Sequence, residues 1–278
     1  MTIPPSGFDA GPDFVALARA HGLVPSPPAS PVGERLPITH ATTVVAIRYA
    51  DGVVMAGDRR ATSGNLISHR AIEKVFPADR HSGVAIAGAA GPAMEMVKLF
   101  QLQLEHYEKV QGSQLSLEGK ANQLAQMVRS NLPAAMQGLV VVPIFAGYDL
   151  RRRAGRLFQY DVTGGRYEES NFATSGSGGS LAGSVVKMGF VDGLDRGAVI
   201  DLAITALFEA ADEDSATGGP DMVRGIYPVI AIITESGFSR LADAEIAARF
   251  EDLLGILTAR ATTQRVPETS IETGGALS

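Results

Sequence analysis

Residues 36–62, LPITHATTVVAIRYADGVVMAGDRRAT, contain the pattern that decides the fold. Two runs rich in β-branched residues, TVVAIRYA and GVVMAGD, flank the dipeptide DG, which is typical of hairpin turns. The stretch therefore predicts two antiparallel strands, with Thr42 and Thr43 at the head of the first. A long segment with few folding signals precedes these strands, and the charged cluster DRR ends the second.

The composition excludes several classes of protein. The chain has 278 residues, 45% of them hydrophobic, which is enough for one large core or two small ones. A net charge of −6 argues against a general nucleic-acid binder. The absence of cysteine excludes disulfides, cysteine metal sites and cysteine nucleophiles. The apolar runs are too short to span a bilayer, and the first residues lack a secretory signal, so we expect a soluble cytoplasmic protein.

The two ends of the chain differ from its middle. Residues 1–35 are rich in proline, glycine and serine, and only 14–24 could form a short helix. Such a segment buries too little apolar surface to offset its ordering entropy. The stretch from Thr262 to the end is polar and glycine-rich, which is typical of a tail. One compact unit is expected between the two.

Within that unit the apolar period alternates between strand and helix. The first helix is indicated by apolar residues at helical spacing, namely Ala93, Val97, Phe100, Leu104 and Tyr107. Ser116 is a plausible N-cap for a second helix over 117–136. The other predicted strands are 82–88, 138–149 with a bulge at Pro143, a hairpin turning at Gly164-Gly165, and 227–237. The other predicted helices are 179–189, 196–212 and 243–257.

The order of these elements predicts the fold class. Helices come in pairs between groups of strands, rather than singly as in a doubly wound parallel sheet. The arrangement favours an α+β domain in which helices cover the outer faces of antiparallel sheets.

Thr42 is a candidate nucleophile, but a hydroxyl needs a neighbouring base. None of the histidines shows a spacing typical of a triad, and we expect all of them to be exposed polar side chains: His21, His40, His69, His81 and His106. Cleavage before Thr42 would supply a different base, a free α-amine with an ordinary pKa of about 7.7–8.0. The amine and the hydroxyl would then belong to one residue, and the preceding leader would mask the base until it is removed.

Several motifs in the same order resemble a 20S proteasome β subunit of the actinobacterial type, over about residues 38–257. They are THATTVVAIRYADGVVMAGDRRATSGNLI, KVFPADRHSGVAIAGAAG, LFQLQLEHYEK and DSATGGPDMVRGIYP. The resemblance implies an N-terminal-nucleophile hydrolase fold, a four-layer αββα sandwich of two antiparallel sheets between helical layers. It also implies a leader over 1–41, a threonine endopeptidase domain over 42–261 and a tail over 262–278.

The resemblance also implies roles for individual residues. Thr42 matches the nucleophile, Asp58 the acid beside it and Lys74 the essential lysine. Gly88 matches the residue whose N–H stabilises the oxyanion, and polar residues around the amine are matched by Ser177, Asp214 and Thr217. A buried ammonium would favour the alkoxide of Thr42 and lower the proton affinity of its amine, while Asp58 balances the charge. Taken singly, each residue has an ordinary structural explanation, and only their joint order favours the site.

Five uncharged residues would line the pocket for the side chain before the scissile bond: Ala61, Ile72, Ile86, Ala90 and Met94. The resemblance therefore implies a preference for apolar side chains. One departure is Ala41, which stands where the family usually has glycine before the nucleophile. Self-cleavage between Ala41 and Thr42 needs an unusual turn that glycine tolerates better, so processing is expected to be slower.

The resemblance implies stacked heptameric rings of α and β subunits (α7β7β7α7), fed with unfolded polypeptide by a ring-shaped unfolding ATPase on the α ring. It implies no cofactor, no metal, no nucleic acid and no membrane. Two alternatives stay open. One is a structural β-ring subunit that is never processed, and the other is a small-molecule amidase of the same fold, for which we would expect neither the long leader nor the ring-forming helices.

Overall fold

The computed structural model describes residues 42–63 and 66–264, with side chains through residue 259. The helix predicted at 14–24 lies outside these residues. The strands are β1 (Thr43–Tyr49), β2 (Gly52–Gly57), β3 (Ala61–Ser63), β4 (Leu66–His69), β5 (Val75–Asp79), β6 (Ser82–Gly88), β7 (Val141–Asp149), β8 (Ala154–Tyr160), β9 (Arg166–Glu169), β10 (Phe172–Gly176), β11 (Val229–Thr234) and β12 (Gly237–Arg240). The helices are α1 (Ala90–Gln111), α2 (Leu117–Ser130), α3 (Leu132–Ala135), α4 (Gly179–Gly189), α5 (Arg196–Glu213) and α6 (Asp243–Gln264).

The strands form two five-stranded sheets and a small ribbon. The first sheet has the order β10-β1-β2-β11-β12, the second has the order β5-β6-β7-β8-β9, and β3 pairs with β4. All pairings between the named strands are antiparallel. In the first sheet β1 is held on both sides, by β10 and by β2, so its first residue is fixed in position.

Three apolar cores separate four layers of structure. Alternate residues of β1 show the arrangement: Val45 and Ile47 pack under α4, α5 and α6, whereas Val44 and Ala46 pack between the two sheets. On the far side of the second sheet, Phe145 packs with residues of α1 and α2. The αββα sandwich of an N-terminal-nucleophile hydrolase, predicted from the sequence, is confirmed.

The first hairpin forms as predicted, but its turn lies one residue earlier. Tyr49 pairs with Gly52, so Ala50 and Asp51 make the turn and Gly52 begins β2. A Cβ at Gly52 would lie 2.0 Å from the carbonyl oxygen of Ile233 on β11. Glycine is therefore required here because another strand passes close to it, and not because of the turn.

The two helices of the second layer follow the predicted pattern with two differences. Ala93, Val97, Phe100 and Leu104 are buried on α1, but Tyr107 is exposed near its end. The Ser116 side chain caps α2 as predicted, by accepting a hydrogen bond from the N–H of Gly119 at 3.1 Å. This helix ends at Ser130 rather than at 136, and the short α3 follows it.

Other local predictions were wrong. The pairing of β6 with β7 is continuous, so Pro143 does not form a bulge. Proline has no N–H to donate, and Pro143 lies just before Ile144, where the pairing of β7 with β8 begins. His81 is buried at the turn between β5 and β6, where Nε2 lies 3.2 Å from the carbonyl oxygen of Glu235. The last helix reaches Gln264, so the stretch predicted as a tail begins inside it.

Two negative findings concern the part of the chain that the structure describes. No helix in that part is long and apolar enough to cross a membrane. Within the same ranges, no group of three or more His, Asp or Glu side chains is placed to hold a metal ion.

A nearly buried arginine joins the second sheet to α2. One edge of the Arg156 guanidinium, formed by Nε and Nη2, donates to the two carboxylate oxygens of Glu168 of β9, each at 2.7 Å, and Nη1 donates to Asp149 of β7 at 3.2 Å. It also donates to Glu118 of α2 at 3.1 Å and lies 5.0 Å from the ring centre of Phe158. Because one buried cation serves three carboxylates, its loss would leave several charges unbalanced.

We expect Arg156→Met to lower the free energy of unfolding by about 3 kcal/mol at pH 7, measured by chemical denaturation of the purified chain. Hydrogen bonds from Arg156 hold the pKa values of Glu168 and Glu118 below their usual range. A lowered carboxyl pKa adds stability above the unfolded value of about 4.3, and this stability is lost as the pH falls through the folded value. The difference between wild type and variant should therefore shrink between about pH 5 and pH 3.

A matched control is Lys109→Met, because Lys109 pairs with Glu105 on the surface of α1, where both side chains are exposed. An exposed pair within one helix contributes little, so this variant should unfold like wild type. If Arg156→Met were no less stable than the control, the arginine would not be the link described here.

Candidate active site

Thr42 lies immediately before β1 and is almost completely buried. Its carbonyl oxygen accepts a hydrogen bond from the N–H of Ser177 at 2.9 Å, just after β10. A Cβ at the neighbouring Gly176 would lie 1.8 Å from the same carbonyl oxygen, so only glycine fits at this point of β10. The pairing of β1 with β10 and β2, together with the hydrogen bond from Ser177, holds the backbone of Thr42 in one position.

Asp58 and Lys74 form a buried ion pair beside Thr42. Because β1 and β2 are antiparallel, the end of β2 lies next to the head of β1, and Asp58 follows β2 directly. One of its carboxylate oxygens accepts from the Lys74 ammonium at 2.6 Å and from the N–H of Thr43 at 2.8 Å. The N–H of Asp58 in turn donates to the carbonyl oxygen of Thr43 at 3.1 Å.

Backbone groups complete the surroundings of this pair. The second carboxylate oxygen of Asp58 accepts from the N–H groups of Arg60 and Gly218, both at 2.9 Å. The Lys74 ammonium also donates to the carbonyl oxygen of Arg60 at 2.6 Å. Burial lowers the pKa of Lys74, although the carboxylate of Asp58 acts in the opposite direction. A buried lysine with a lowered pKa exchanges its proton more readily than a surface lysine.

A second polar cluster lies on the other side of the Thr42 backbone. Asp214, at the end of α5, accepts hydrogen bonds at 2.6 Å from the hydroxyls of Ser177 and Thr217 through the same oxygen. Its other oxygen accepts from the N–H of Ala216 at 3.1 Å. Burial raises the pKa of Asp214, but these hydrogen bonds outweigh it and hold the pKa below its usual value. The cluster therefore carries a negative charge at neutral pH.

Gly88 ends β6 with a φ of +116°, a backbone conformation that favours glycine. A Cβ there would lie 2.0 Å from the carbonyl oxygen of Val140, to which the next residue, Ala89, donates its N–H at 2.7 Å. The glycine is therefore fixed by the backbone, independently of any role in chemistry. Its role as an oxyanion donor stays a prediction.

Thr42, Lys74 and Gly88 line one small cavity between them. The five residues predicted for the pocket lie in the same cavity: Ala61, Ile72, Ile86, Ala90 and Met94. Two further residues line it that the sequence analysis missed, Ala93 and Glu73. The pocket is therefore less purely apolar than expected, although the Glu73 carboxylate is paired with Arg240.

Sequence reasoning also missed three residues that connect the two clusters: Thr43, Gly178 and Gly218. Gly178 and Gly218 belong to the glycine-rich stretches SGSGG and TGG, and these stretches are the sequence pattern that could have indicated them. A Cβ at Gly218 would lie 2.7 Å from the Cβ of Arg60, so the stretch must approach the β2 end closely. The structure thus brings all the predicted site residues that it describes into one region, while Ala41 lies outside the described residues.

The chain is similar to known proteasome subunits over most of its length. The family model for proteasome subunits matches residues 38–224. The chain is 60% identical over 240 residues to the proteasome subunit beta of Acidimicrobium ferrooxidans, covering 86% of this chain and 87% of that protein. It is 54% identical over 253 residues to that of Acidothermus cellulolyticus, covering 89% and 87% of the two chains. It is 59% identical over 206 residues to that of Streptomyces griseus, covering 74% and 73%. The chain belongs to the proteasome subunit family.

Proposed function

We propose that this chain is a catalytic β subunit of a 20S proteasome core, a threonine endopeptidase whose nucleophile is the hydroxyl of Thr42. The observation that carries the proposal is the position of Thr42. It stands at the head of a central strand, beside a buried lysine–aspartate pair and at the edge of a largely apolar cavity. We further propose that residues 1–41 are a leader, that the catalytic domain runs from Thr42 to the end of α6 at Gln264, and that the residues after it form a tail.

The chemistry follows from a free amine on Thr42. The amine takes the hydroxyl proton as the oxygen attacks the scissile carbonyl carbon. The carbon–nitrogen bond then breaks, the leaving amine takes the proton, and an ester joins the substrate to Thr42. A water molecule, deprotonated by the same amine, hydrolyses the ester and restores the hydroxyl. Leader removal cannot use this base, because the Thr42 nitrogen is still bonded to the carbonyl carbon of Ala41. There the Thr42 hydroxyl attacks that carbon, the carbon–nitrogen bond breaks, and the hydroxyl proton passes through water to the Thr42 nitrogen, which becomes the free amine. A second water molecule hydrolyses the ester left between Ala41 and the Thr42 oxygen.

The surrounding groups have separate tasks in this scheme. The Lys74 ammonium stabilises the developing alkoxide, and Asp58 holds that ammonium in position. The cluster of Asp214, Ser177 and Thr217 orients the amine. The N–H of Gly88 stabilises the oxyanion of the tetrahedral intermediate, which glycine permits because the backbone must approach the reacting carbon closely.

Membership of the proteasome subunit family supports a proposal about assembly and location. We propose that the subunit stacks in heptameric rings with α subunits and with other β subunits. Unfolded protein substrates would enter through the α ring, delivered by a ring-shaped ATPase, in the cytoplasm. Exposed apolar side chains on helices of both outer layers, such as Leu102 and Met188, support burial against neighbouring subunits.

The first test is Thr42→Ala in the particle assembled with its α subunit. Because the variant has no hydroxyl, we expect turnover of a fluorogenic apolar peptide to fall by at least about 10³-fold. The leader should also stay attached, as measured by intact mass and N-terminal sequencing. Thr42→Ser, which keeps a hydroxyl, is the matched control and should retain a mature N-terminus and measurable turnover. Substantial turnover by the alanine variant would refute the assigned nucleophile.

The second test concerns Ala41 and the alternative of an unprocessed structural subunit. A methyl group at a strained turn costs about 0.5–1 kcal/mol, so Ala41→Gly should process about two- to fivefold faster. Ala41→Val should process more slowly, and all three chains should end with Thr42 at the N-terminus. The time course is followed by intact mass after mixing with the α subunit. A wild-type chain that stays intact while Ala41→Gly is cleaved would favour the structural alternative.

The third test concerns the pocket. Ala90→Leu places a larger side chain into the cavity, so we expect kcat/KM for peptides with leucine before the scissile bond to fall about tenfold. Peptides with alanine at that position should change much less. Ala198→Leu is the matched control, because Ala198 also lies in the first turn of a helix but is exposed. Equal losses for both peptides would mean that this cavity does not select the side chain.

A further inference from the structure

Thr43 is a buried polar residue in an apolar row, and the proposed mechanism gives its hydroxyl no task. On β1 it lies on the face toward the helices, in line with Val45 and Ile47, and it is completely buried. Valine has nearly the same shape and would suit the packing. Burying a hydroxyl is unfavourable unless hydrogen bonds replace those made to water, so its partners are informative.

The hydroxyl of Thr43 has two close partners. It accepts a hydrogen bond from the N–H of Gly178 at 3.1 Å, and it lies 2.6 Å from the hydroxyl oxygen of Thr217. Thr217 in turn donates to Asp214 at 2.6 Å. The two hydroxyls therefore link the start of α4 to the carboxylate at the end of α5.

The direction of these hydrogen bonds can be deduced. A hydroxyl has a single proton, and an ionised carboxylate only accepts. The proton of Thr217 is directed to Asp214, so Thr217 accepts from Thr43. The chain is therefore ordered from the Gly178 N–H, through the hydroxyls of Thr43 and Thr217, to the carboxylate. Hydrogen bonds in such a chain polarise and strengthen one another.

Gly178 is shaped to permit this chain. A Cβ at this position would lie 2.5 Å from the hydroxyl oxygen of Thr43 and 2.7 Å from that of Thr217. Its φ of −84° is open to any residue, so backbone strain does not explain the glycine. The space is needed for the two hydroxyls.

The backbone of Thr43 reaches the opposite cluster. Its N–H and carbonyl groups exchange hydrogen bonds with Asp58, the partner of Lys74. Thr43 is thus bonded to the lysine–aspartate pair through its backbone and to the Asp214 cluster through its side chain. The residue next to Thr42 therefore contacts both clusters.

We propose that the Thr43 hydroxyl is a positioning group for the Thr42 amine, acting through Thr217 and Asp214. This inference rests on the proposed function. The donated proton of Thr43 strengthens the hydrogen bond from Thr217 to Asp214, which disperses the negative charge of that carboxylate. A less dispersed charge would hold a neighbouring ammonium more strongly and raise the pKa of the amine. The Thr43 hydroxyl therefore keeps more of the amine in its neutral, reactive form.

The test compares Thr43→Val, Thr43→Ser and wild type in the assembled, processed particle. N-terminal sequencing first establishes that each variant begins at Thr42. We expect Thr43→Val to lower kcat for an apolar fluorogenic peptide about tenfold, with a KM close to that of wild type. The acid limb of the pH profile of kcat/KM should move up by about 0.5 pH unit. Thr43→Ser keeps the hydroxyl and should restore both values.

The control is Thr174→Val, the same substitution on the neighbouring strand β10, where Thr174 pairs with Val45. It should leave the acid limb unchanged. Gly178→Ala gives a second measurement that does not depend on folding of Thr43→Val, because it keeps the hydroxyl but displaces it. That variant should also move the acid limb upward.

The outcomes separate the two hypotheses. If wild type turns over peptide from a Thr42 N-terminus but Thr43→Val keeps the wild-type acid limb, the inference is wrong, even if the rate or the stability has fallen. An equal shift of the acid limb of the pH profile in Thr174→Val would also overturn the inference. If the wild-type particle has no turnover or starts at another residue, the proposed function itself fails.

Discussion

The carboxylate of Asp58 is completely buried, and a buried charge must be matched by donors around it. It has four of them: the Lys74 ammonium and the backbone N–H groups of Thr43, Arg60 and Gly218. These donors come from the head of β1, the segment after β2, the segment before β5 and the loop after α5. One ionised group therefore holds together four separate parts of the chain. Movement of any one part would remove one of these donors from the buried charge, which makes the region rigid.

That rigidity explains how the backbone of Thr42 is positioned. Its peptide group is held by Ser177 on one side, and the next residue is bonded to Asp58 on the other. The two polar clusters approach from different layers, since Asp214 ends a helix whereas Asp58 ends a strand. The arrangement fixes Thr42 relative to the Lys74 ammonium and to the Asp214 cluster before any substrate binds, which is what the proposed chemistry on Thr42 requires.

The sequence predicted much of this structure, and the failures have a common physical cause. Periodicity and turn residues located the two sheets and their helices, since those signals are local. Gly52 was misassigned as a turn residue because the close passage of β11 is a contact between distant segments. The burial of His81 and the role of Gly178 were missed for the same reason. The order of the motifs revealed Asp58 and Lys74, whereas nothing in that order indicated the hydrogen bonds of the Thr43 hydroxyl.

The exposed apolar residues connect the site to assembly. Val110 of α1 and Met188 of α4 are mostly exposed, and they lie on helices that cover opposite sheets. Scattered apolar residues are normal on a surface, but side chains as large and as exposed as these two, on both outer layers of a proteasome subunit, are suited to burial against neighbouring subunits. The simplest physical account is that neighbouring subunits cover both helical layers. In the rings proposed above, polypeptide would reach the pocket only by entering the space that the rings enclose. A pocket that selects only for apolar side chains would then be sufficient, because access rather than sequence recognition would limit which proteins are cut.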